Sequence, residues 1–241
     1  MTLDLKNQTT AVLLAHLKHQ PTPGQRDLAE RLSNFMINSS TGDTYIIKGY
    51  AGTGKTTMVS ALVKTVNALS ARAVLLAPTG RAAKVMAGYA GRSASTIHRR
   101  IYRMESSEGG GFSMKLAPNK SKNTFFIVDE ASMIPEKQSG DGMYTRSLLK
   151  DLVDFVSSGE GCRLILVGDT AQLPPVGEEN SPALDVRYMM SRFGMRAGHF
   201  ELTQVVRQEH ESGILLNATA LRNQVLDNTE FKFKVDLPDV V

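Results

Sequence analysis

One cysteine, Cys162, is all that the 241 residues contain, so no intrachain disulfide can staple the fold. It precedes the apolar run Leu164-Ile165-Leu166-Val167, which marks it as core rather than chemistry. A chain without disulfides suits a reducing cytoplasm. No apolar run approaches the length a membrane-spanning helix requires. The start, Met1-Thr2-Leu3-Asp4-Leu5-Lys6, lacks the basic-then-apolar plan of a secretory leader, so no membrane partner is expected. Internal repeats are also lacking. What is present is ordinary for a globular chain: 41% hydrophobic and 22% charged residues, enough for one large domain or two small ones. The formal net charge of +4 is unevenly placed. From Gly80 to Lys122 nine Lys and Arg face two acids, whereas from Asn123 to Val241 eleven basic residues face eighteen acidic ones. Such a basic middle fits a polyanionic partner or an ordinary solvated face, and charge alone does not separate the two.

The most informative stretch is Gly49-Tyr50-Ala51-Gly52-Thr53-Gly54-Lys55-Thr56, which reads G-x-x-x-x-G-K-T. A polyphosphate needs a backbone that comes close and points several N–H groups inward, which glycine permits because it has no Cβ. The lysine then reaches the β- and γ-phosphates, and the hydroxyl holds Mg²⁺. Tyr45-Ile46-Ile47 is a β-prone run just before this loop, and Val59, Leu62, Val63, Val66 and Leu69 follow with helical spacing. Strand, loop and helix N-terminus in that order favour a bound anion. A chance match in a chain this long is roughly one in a hundred, so a Gly-rich turn ahead of a helix is a poor account. The segment Gly49, Ala51, Gly52, Thr53, Gly54, Lys55, Thr56 and Thr57 is therefore expected to bind a nucleoside triphosphate.

Two further strands end in polar residues. Phe125-Phe126-Ile127-Val128 leads into Asp129-Glu130, two carboxylates at the C-terminal end of a buried strand, where ligands bind in open α/β sheets. Asp129 is expected to take Mg²⁺, usually through water, with Thr56 as the other protein ligand. Glu130 is expected to act as general base on the attacking water. The plainer account is an acidic turn. Leu164-Ile165-Leu166-Val167-Gly168 leads into Asp169-Thr170-Ala171-Gln172, and Pro174-Pro175 then stops any helix. Gln172 both donates and accepts, which suits it to sensing a γ-phosphate and its water.

Elsewhere the spacing predicts helices over 3–19, from Thr22-Pro23, over 80–90, over 144–156 and over 214–226. Strands are predicted at 73–77, 124–128, 163–167 and 200–202. The first helix is expected to present Val12, Leu13, Leu14 and Leu17 to the core. Residues 105–122, with three consecutive glycines and no helical period, read as an exposed insertion, a short hairpin or a loop. Buried strands alternating with helices predict an α/β fold with a mostly parallel sheet and helices on both faces.

Six motifs occur in a fixed order: G-Y-A-G-T-G-K-T, A-P-T-G-R-A-A (Ala77 to Ala83), S-T-I-H-R (Ser95 to Arg99), D-E-A-S-M (Asp129 to Met133), G-D-T-A-Q-L-P-P-V (Gly168 to Val176) and L-T-Q-V-V-R-Q (Leu202 to Gln208). From about Thr22 to Arg222 the chain resembles superfamily 1 DNA helicases of the RecD-like and Dda-like 5′-to-3′ group. That resemblance implies a RecA-like P-loop NTPase domain in which the Gly168 strand lies between the P-loop strand and the Asp129 strand. It implies that Gln25 reads adenine, that Pro78, Thr79, Gly80 and Arg81 contact single-stranded DNA, and that Thr96 and His98 do the same. Arg207 would touch the γ-phosphate. Plainer roles stay open: a surface helix residue for Gln25, a core or capping histidine for His98, and a salt bridge to Glu209 or Glu201 for Arg207. The insertion falls where such helicases carry a hairpin that splits the duplex.

These helicases bind ATP between two RecA-like lobes. After Arg222 nineteen residues remain, with none of the second-lobe motifs, so the chain is expected to be the first lobe alone. The second lobe would come in cis downstream or in trans, and the isolated chain is expected to be weak or inactive as an ATP hydrolase. Two readings of other classes stand beside this one: a P-loop ATPase acting on another substrate, such as a small-molecule kinase or a loader, and a nucleotide- or DNA-binding module without catalysis of its own. Salt-dependent binding of single-stranded DNA separates the first. Hydrolysis with and without a supplied second lobe separates the other.

Overall fold

Alternation along the strands decides how the chain is layered, because successive side chains point to opposite faces of a sheet. In β1 (Thr44–Gly49), Tyr45 and Ile47 join one apolar cluster and Ile46 joins the other. In β6 (Thr124–Val128), Phe125 and Ile127 go one way, Phe126 and Val128 the other. In β7 (Arg163–Gly168), Ile165 and Val167 oppose Leu164 and Leu166. A strand apolar on both faces must be covered on both faces.

A computed structural model describes residues 2–106, 112–136, 147–206, 217, 220 and 221. One face of the sheet is covered by α1 (Thr2–Ala15), α2 (Pro23–Asn38), α3 (Lys55–Ala68) and α4 (Gly80–Ala90). The other is covered by α5 (Ile97–Ile101), α6 (Leu148–Ser157) and α7 (Val186–Phe193). With β2 (Arg72–Ala77), β3 (Ala94–Thr96) and β8 (Ala197–Leu202), the six strands run in the order β3-β2-β6-β7-β1-β8. Every pairing in this sheet is parallel. The α/β architecture is as expected, and β7 does lie between β1 and β6. Residues 1–205 form one compact unit and 206–241 a second. Of the latter, Val206, Asn217, Ala220 and Leu221 are described, the last three as helical, so most of the helix expected over 214–226 lies outside the described residues.

Local chemistry explains most element boundaries. Thr22 caps α2 and Pro23 opens it. Ser147 caps α6, while 144–146, where that helix was expected to start, lie outside the described residues. The first helix ends at Ala15 rather than running to His19, because its last turn tightens into i→i−3 bonds from His16 to Leu13 and from Leu17 to Leu14. Leu13 is fully buried on it, whereas Val12 points outward. Parts of the 105–122 segment lie in a two-stranded antiparallel sheet of β4 (Tyr102–Ser106) and β5 (Phe112–Leu116), while 107–111 fall outside the described residues; the register pairs Met104 with Met114 and Arg103 with Lys115. After β5 the chain returns to the body through Ala117 N–H, which donates to Ile101 O at 2.7 Å. The strand pairing therefore begins three residues before the expected insertion does.

The β1–β8 edge is closely packed. Tyr45 lies opposite Gly198 in the register, and a Cβ on Gly198 would come within 2.8 Å of the buried Tyr45 ring. Gly198→Ala should therefore lower unfolding stability by about 1–3 kcal/mol through overpacking. Urea denaturation followed by circular dichroism reads this, and an unchanged midpoint and slope would contradict the close approach.

Candidate nucleotide site and nucleic-acid edge

Because the six strands are parallel, all their C-terminal ends lie along one edge of the sheet, in the strand order. From one side to the other this edge carries Thr96 and His98 after β3, Pro78 to Arg81 after β2, Asp129 and Glu130 after β6, Asp169 and Gln172 after β7, and the P-loop after β1. The motifs scattered over more than half the chain thus form a single row.

In the P-loop, Gly52 and Gly54 hold φ of 81° and 89°, values that glycine adopts without a Cβ penalty. Gly54 is the N-cap of α3 and offers no side-chain cap, whereas Thr22, Thr79, Thr96, Ser147 and Asp185 cap their helices with their own oxygens. A helix N-terminus without a side-chain cap is suited to a bound anion. Thr53 is buried and donates to Tyr50 O at 2.8 Å, closing the loop on itself. A Cβ on Gly49 would meet Thr53 Oγ1 at 2.7 Å and Leu202 O at 2.9 Å, so only glycine fits there. Lys55 donates to Gly49 O at 2.5 Å and Tyr50 O at 2.9 Å, and its ammonium lies 3.8 Å from the buried Asp169 carboxylate. Ala51 and Thr56 are exposed, and Thr57 is half-buried, in the first turn and loop beside it.

The acidic pair is held by named donors. Asp129 Oδ1 accepts the Glu130 N–H at 2.9 Å, and its Oδ2 accepts the Tyr89 hydroxyl at 2.6 Å. Glu130 sits at φ 54°, ψ 37°, a left-handed conformation that costs a non-glycine residue about 1–3 kcal/mol and recurs at functional sites. Burial pushes the Glu130 carboxyl above the ordinary carboxylate range, and the neighbouring Asp129 charge adds to the rise. A hydrogen bond from Gln172 and the positive charge of Lys55 pull the other way. Gln172 Oε1 accepts the Ser132 hydroxyl at 2.8 Å, so its NH₂ group is the donor toward Glu130. Asp129 and Thr56 are hard oxygen donors of the kind Mg²⁺ prefers, and they sit on the row that carries Lys55.

The DNA-facing candidates are placed by capping. Thr79 accepts Ala82 N–H and starts α4; Thr96 accepts Arg99 N–H and starts α5. β2 and β3 are neighbours in register, Ala77 opposite Thr96, so both threonines emerge side by side. Arg81 is exposed, and the half-buried His98 ring lies 5.7 Å from the Tyr102 ring at a tilt of 47°. A cleft of about 470 Å³ joins this part of the edge to the acids; Thr79, Arg81, Val85, Glu130, Met133 and Gln172 line it. A larger cavity of about 550 Å³ opens at the opposite end of the sheet, between the starts of β1 and β8, and contains none of the motif residues. The motif chemistry selects the smaller cleft.

Gln25 is 4% exposed, so it is no surface helix residue. Its Oε1 accepts Thr22 N–H at 3.1 Å while Thr22 Oγ1 accepts Gln25 N–H at 3.2 Å, a reciprocal capping box. Arg207 lies outside the described residues. Tyr89, Ser132 and Asp169 are contacts that sequence reasoning missed. Ser132 and Asp169 stood inside motifs and could have been flagged there; Tyr89 carried no local signal.

Residues 20–232 match the family model described as an AAA domain, AAA_30. The ATP-dependent RecD2 DNA helicase of Deinococcus radiodurans is 30% identical over 207 residues, covering 83% of this chain and 25% of that protein. The ATP-dependent DNA helicase Dda of Enterobacteria phage T4 is 32% identical over 181 residues, covering 73% of this chain and 37% of that protein. The chain thus spans between a quarter and two-fifths of the length of these curated relatives. Among solved structures, the Pif1 helicase of Candida albicans matches with a TM-score of 0.51 at 19% identity, over 84% of this chain and 44% of that one, a likeness of fold. No helix of the described residues is long and apolar enough to cross a membrane. The chain belongs to the AAA domain family, as a relative of the RecD-like superfamily 1 DNA helicases.

Proposed function

We propose that this chain is the ATP-hydrolysing first lobe of a DNA helicase, and that with a second RecA-like lobe it drives 5′-to-3′ movement on single-stranded DNA and duplex unwinding. The observation that carries this reading is the single edge on which the P-loop, the Asp129-Glu130 pair, Gln172 and the Pro78 to Arg81 segment follow one another.

In this mechanism the N–H groups at the start of α3 hold the phosphates, and Lys55 leaves the loop carbonyls to meet the γ-phosphate. Thr56 and Asp129 would hold Mg²⁺, which when bound neutralises phosphate charge. Glu130 accepts the proton of the attacking water as its oxygen bonds to the γ-phosphorus and the bond to the β–γ bridging oxygen breaks. Burial raises its basicity for that step. Gln172, held by Ser132, fixes the Glu130 carboxylate and, with Arg207, senses the γ-phosphate. Gln25 reads adenine through the amide edge not spent on its cap. Thr79, Arg81, Thr96 and His98 hold the DNA backbone, phosphate contacts that position a strand without reading its sequence.

Three outcomes are expected. Lys55→Ala should weaken binding of a fluorescent ATP analogue by about 10-fold or more, the loss of a hydrogen bond to a charged group; unchanged affinity would contradict the P-loop assignment. Glu130→Gln should leave that affinity nearly intact but slow single-turnover ATP hydrolysis by about 100-fold or more; wild-type hydrolysis would remove Glu130 as the base. Binding of oligo(dT) should weaken with salt, and Arg81→Ala should reduce the slope of log K against log[salt] by about 0.7. A slope equal to that of the wild type would place Arg81 off the DNA path.

A further inference from the structure

We propose that Tyr89 is a positioning residue that ties the carboxylate of Asp129 to the DNA-facing helix α4. The inference rests on the reading above, in which Asp129 serves the metal of a bound nucleotide and the start of α4 meets single-stranded DNA.

Three contacts converge on this residue, two through its side chain and one through its backbone. Its hydroxyl donates to Asp129 Oδ2 at 2.6 Å, across forty residues of sequence. Its backbone carbonyl accepts the Ser60 hydroxyl of α3 at 3.3 Å, so the same residue also braces the helix that carries Lys55 and Thr56. Its ring packs against the apolar cluster that buries Met86 and Ala90 of α4. With Oδ1 of Asp129 taken by Glu130 N–H, each oxygen of the carboxylate has a donor, and one of the two donors rides on α4. Partners of this kind orient a metal-binding carboxylate, and their loss typically weakens metal affinity by about 10- to 100-fold.

Tyr89 lies in the last turn of α4, and Thr79, Gly80 and Arg81 stand at its start, roughly 14 Å away along the axis at about 1.5 Å per residue. Thr79 and Arg81 line the cleft with Glu130. Both ends of one short helix therefore address the acidic pair, the first through the cleft and the last through a hydrogen bond. A strand that displaces α4 on binding shifts the Tyr89 hydroxyl and with it Asp129. Coupling of this sort is reciprocal, so metal-loaded nucleotide should in turn alter DNA affinity.

The test measures binding of a fluorescent ATP analogue to the 241-residue chain in EDTA and across a Mg²⁺ titration, with and without oligo(dT). Wild type, Tyr89→Phe and Asp129→Asn are compared. Asp129→Asn should flatten the Mg²⁺ dependence. Tyr89→Phe, which keeps the ring, should raise the Mg²⁺ concentration at half-saturation about 10-fold while affinity in EDTA stays at the wild-type value. Oligo(dT) should shift the wild-type half-saturation and shift that of Tyr89→Phe much less. A Tyr89→Phe titration that overlays wild type overturns the proposal. So does a loss of affinity that is equal in EDTA and Mg²⁺, which would give the hydroxyl a purely structural role, and so does an oligo(dT) response that is absent from the wild type or unchanged in Tyr89→Phe. If Asp129→Asn itself overlays wild type, the metal role of Asp129 fails and takes the proposal with it.

Discussion

The parallel ladder joining β6, β7 and β1 is the constraint on which the rest depends. Its hydrogen bonds place Val128 opposite Leu166 and Ile47 opposite Val167, so three strands from distant parts of the sequence end at one level. Since both faces of these strands are buried, a slip of one residue would send Ile46 and Ile47, or Phe125 and Phe126, into the wrong clusters. Packing therefore specifies the register, and the register specifies where Asp129, Glu130, Asp169 and Lys55 meet. The chemistry at the edge is a consequence of the apolar pattern beneath it.

That edge concentrates three carboxylates around one lysine, an arrangement that a folded protein tolerates only when the charges find donors. The donors are there: Tyr89 and the Glu130 N–H for Asp129, Gln172 for Glu130, Lys55 and the Ala171 N–H for Asp169. Ser132 in turn anchors Gln172. The left-handed backbone at Glu130 adds a local cost that the buried neighbours Ala131 and Ser132 must offset. Under the proposed function, these shared donors would let nucleotide and nucleic acid sense one another.

Much of this is legible in the amino-acid sequence. The P-loop has glycines whose positions are dictated by φ, and β6 and β7 are continuous apolar runs ending in polar residues, so both strand and site could be read together. Other features had no local signature. β3 is only three residues long, and α5 has five, too few for a period to register. α7 is opened by the Asp185 cap and buries Met189, with Val186 and Phe193 partly buried beside it, a stripe of three residues in only two turns. The Tyr89–Asp129 and Ser132–Gln172 bonds each span forty residues, and only the strand order brings their ends together. From the sequence, Gln25 reads only as an adenine contact or a surface helix residue. The T-x-x-Q pattern of Thr22 to Gln25 is a capping box as well as a candidate adenine contact, and the structure displays the first use.

The most direct measurement is a crystal structure of this chain with a non-hydrolysable ATP analogue, Mg²⁺ and a short oligo(dT). The account predicts the triphosphate wrapped by residues 49–57 with Lys55 turned onto its terminal phosphate and the Glu130 carboxylate facing that phosphate across a water. A DNA phosphate should lie against Thr79 and Arg81 at the far end of the same row. A nucleotide seated away from the P-loop, or Asp129 and Glu130 directed away from its terminal phosphate, would contradict the account at its centre.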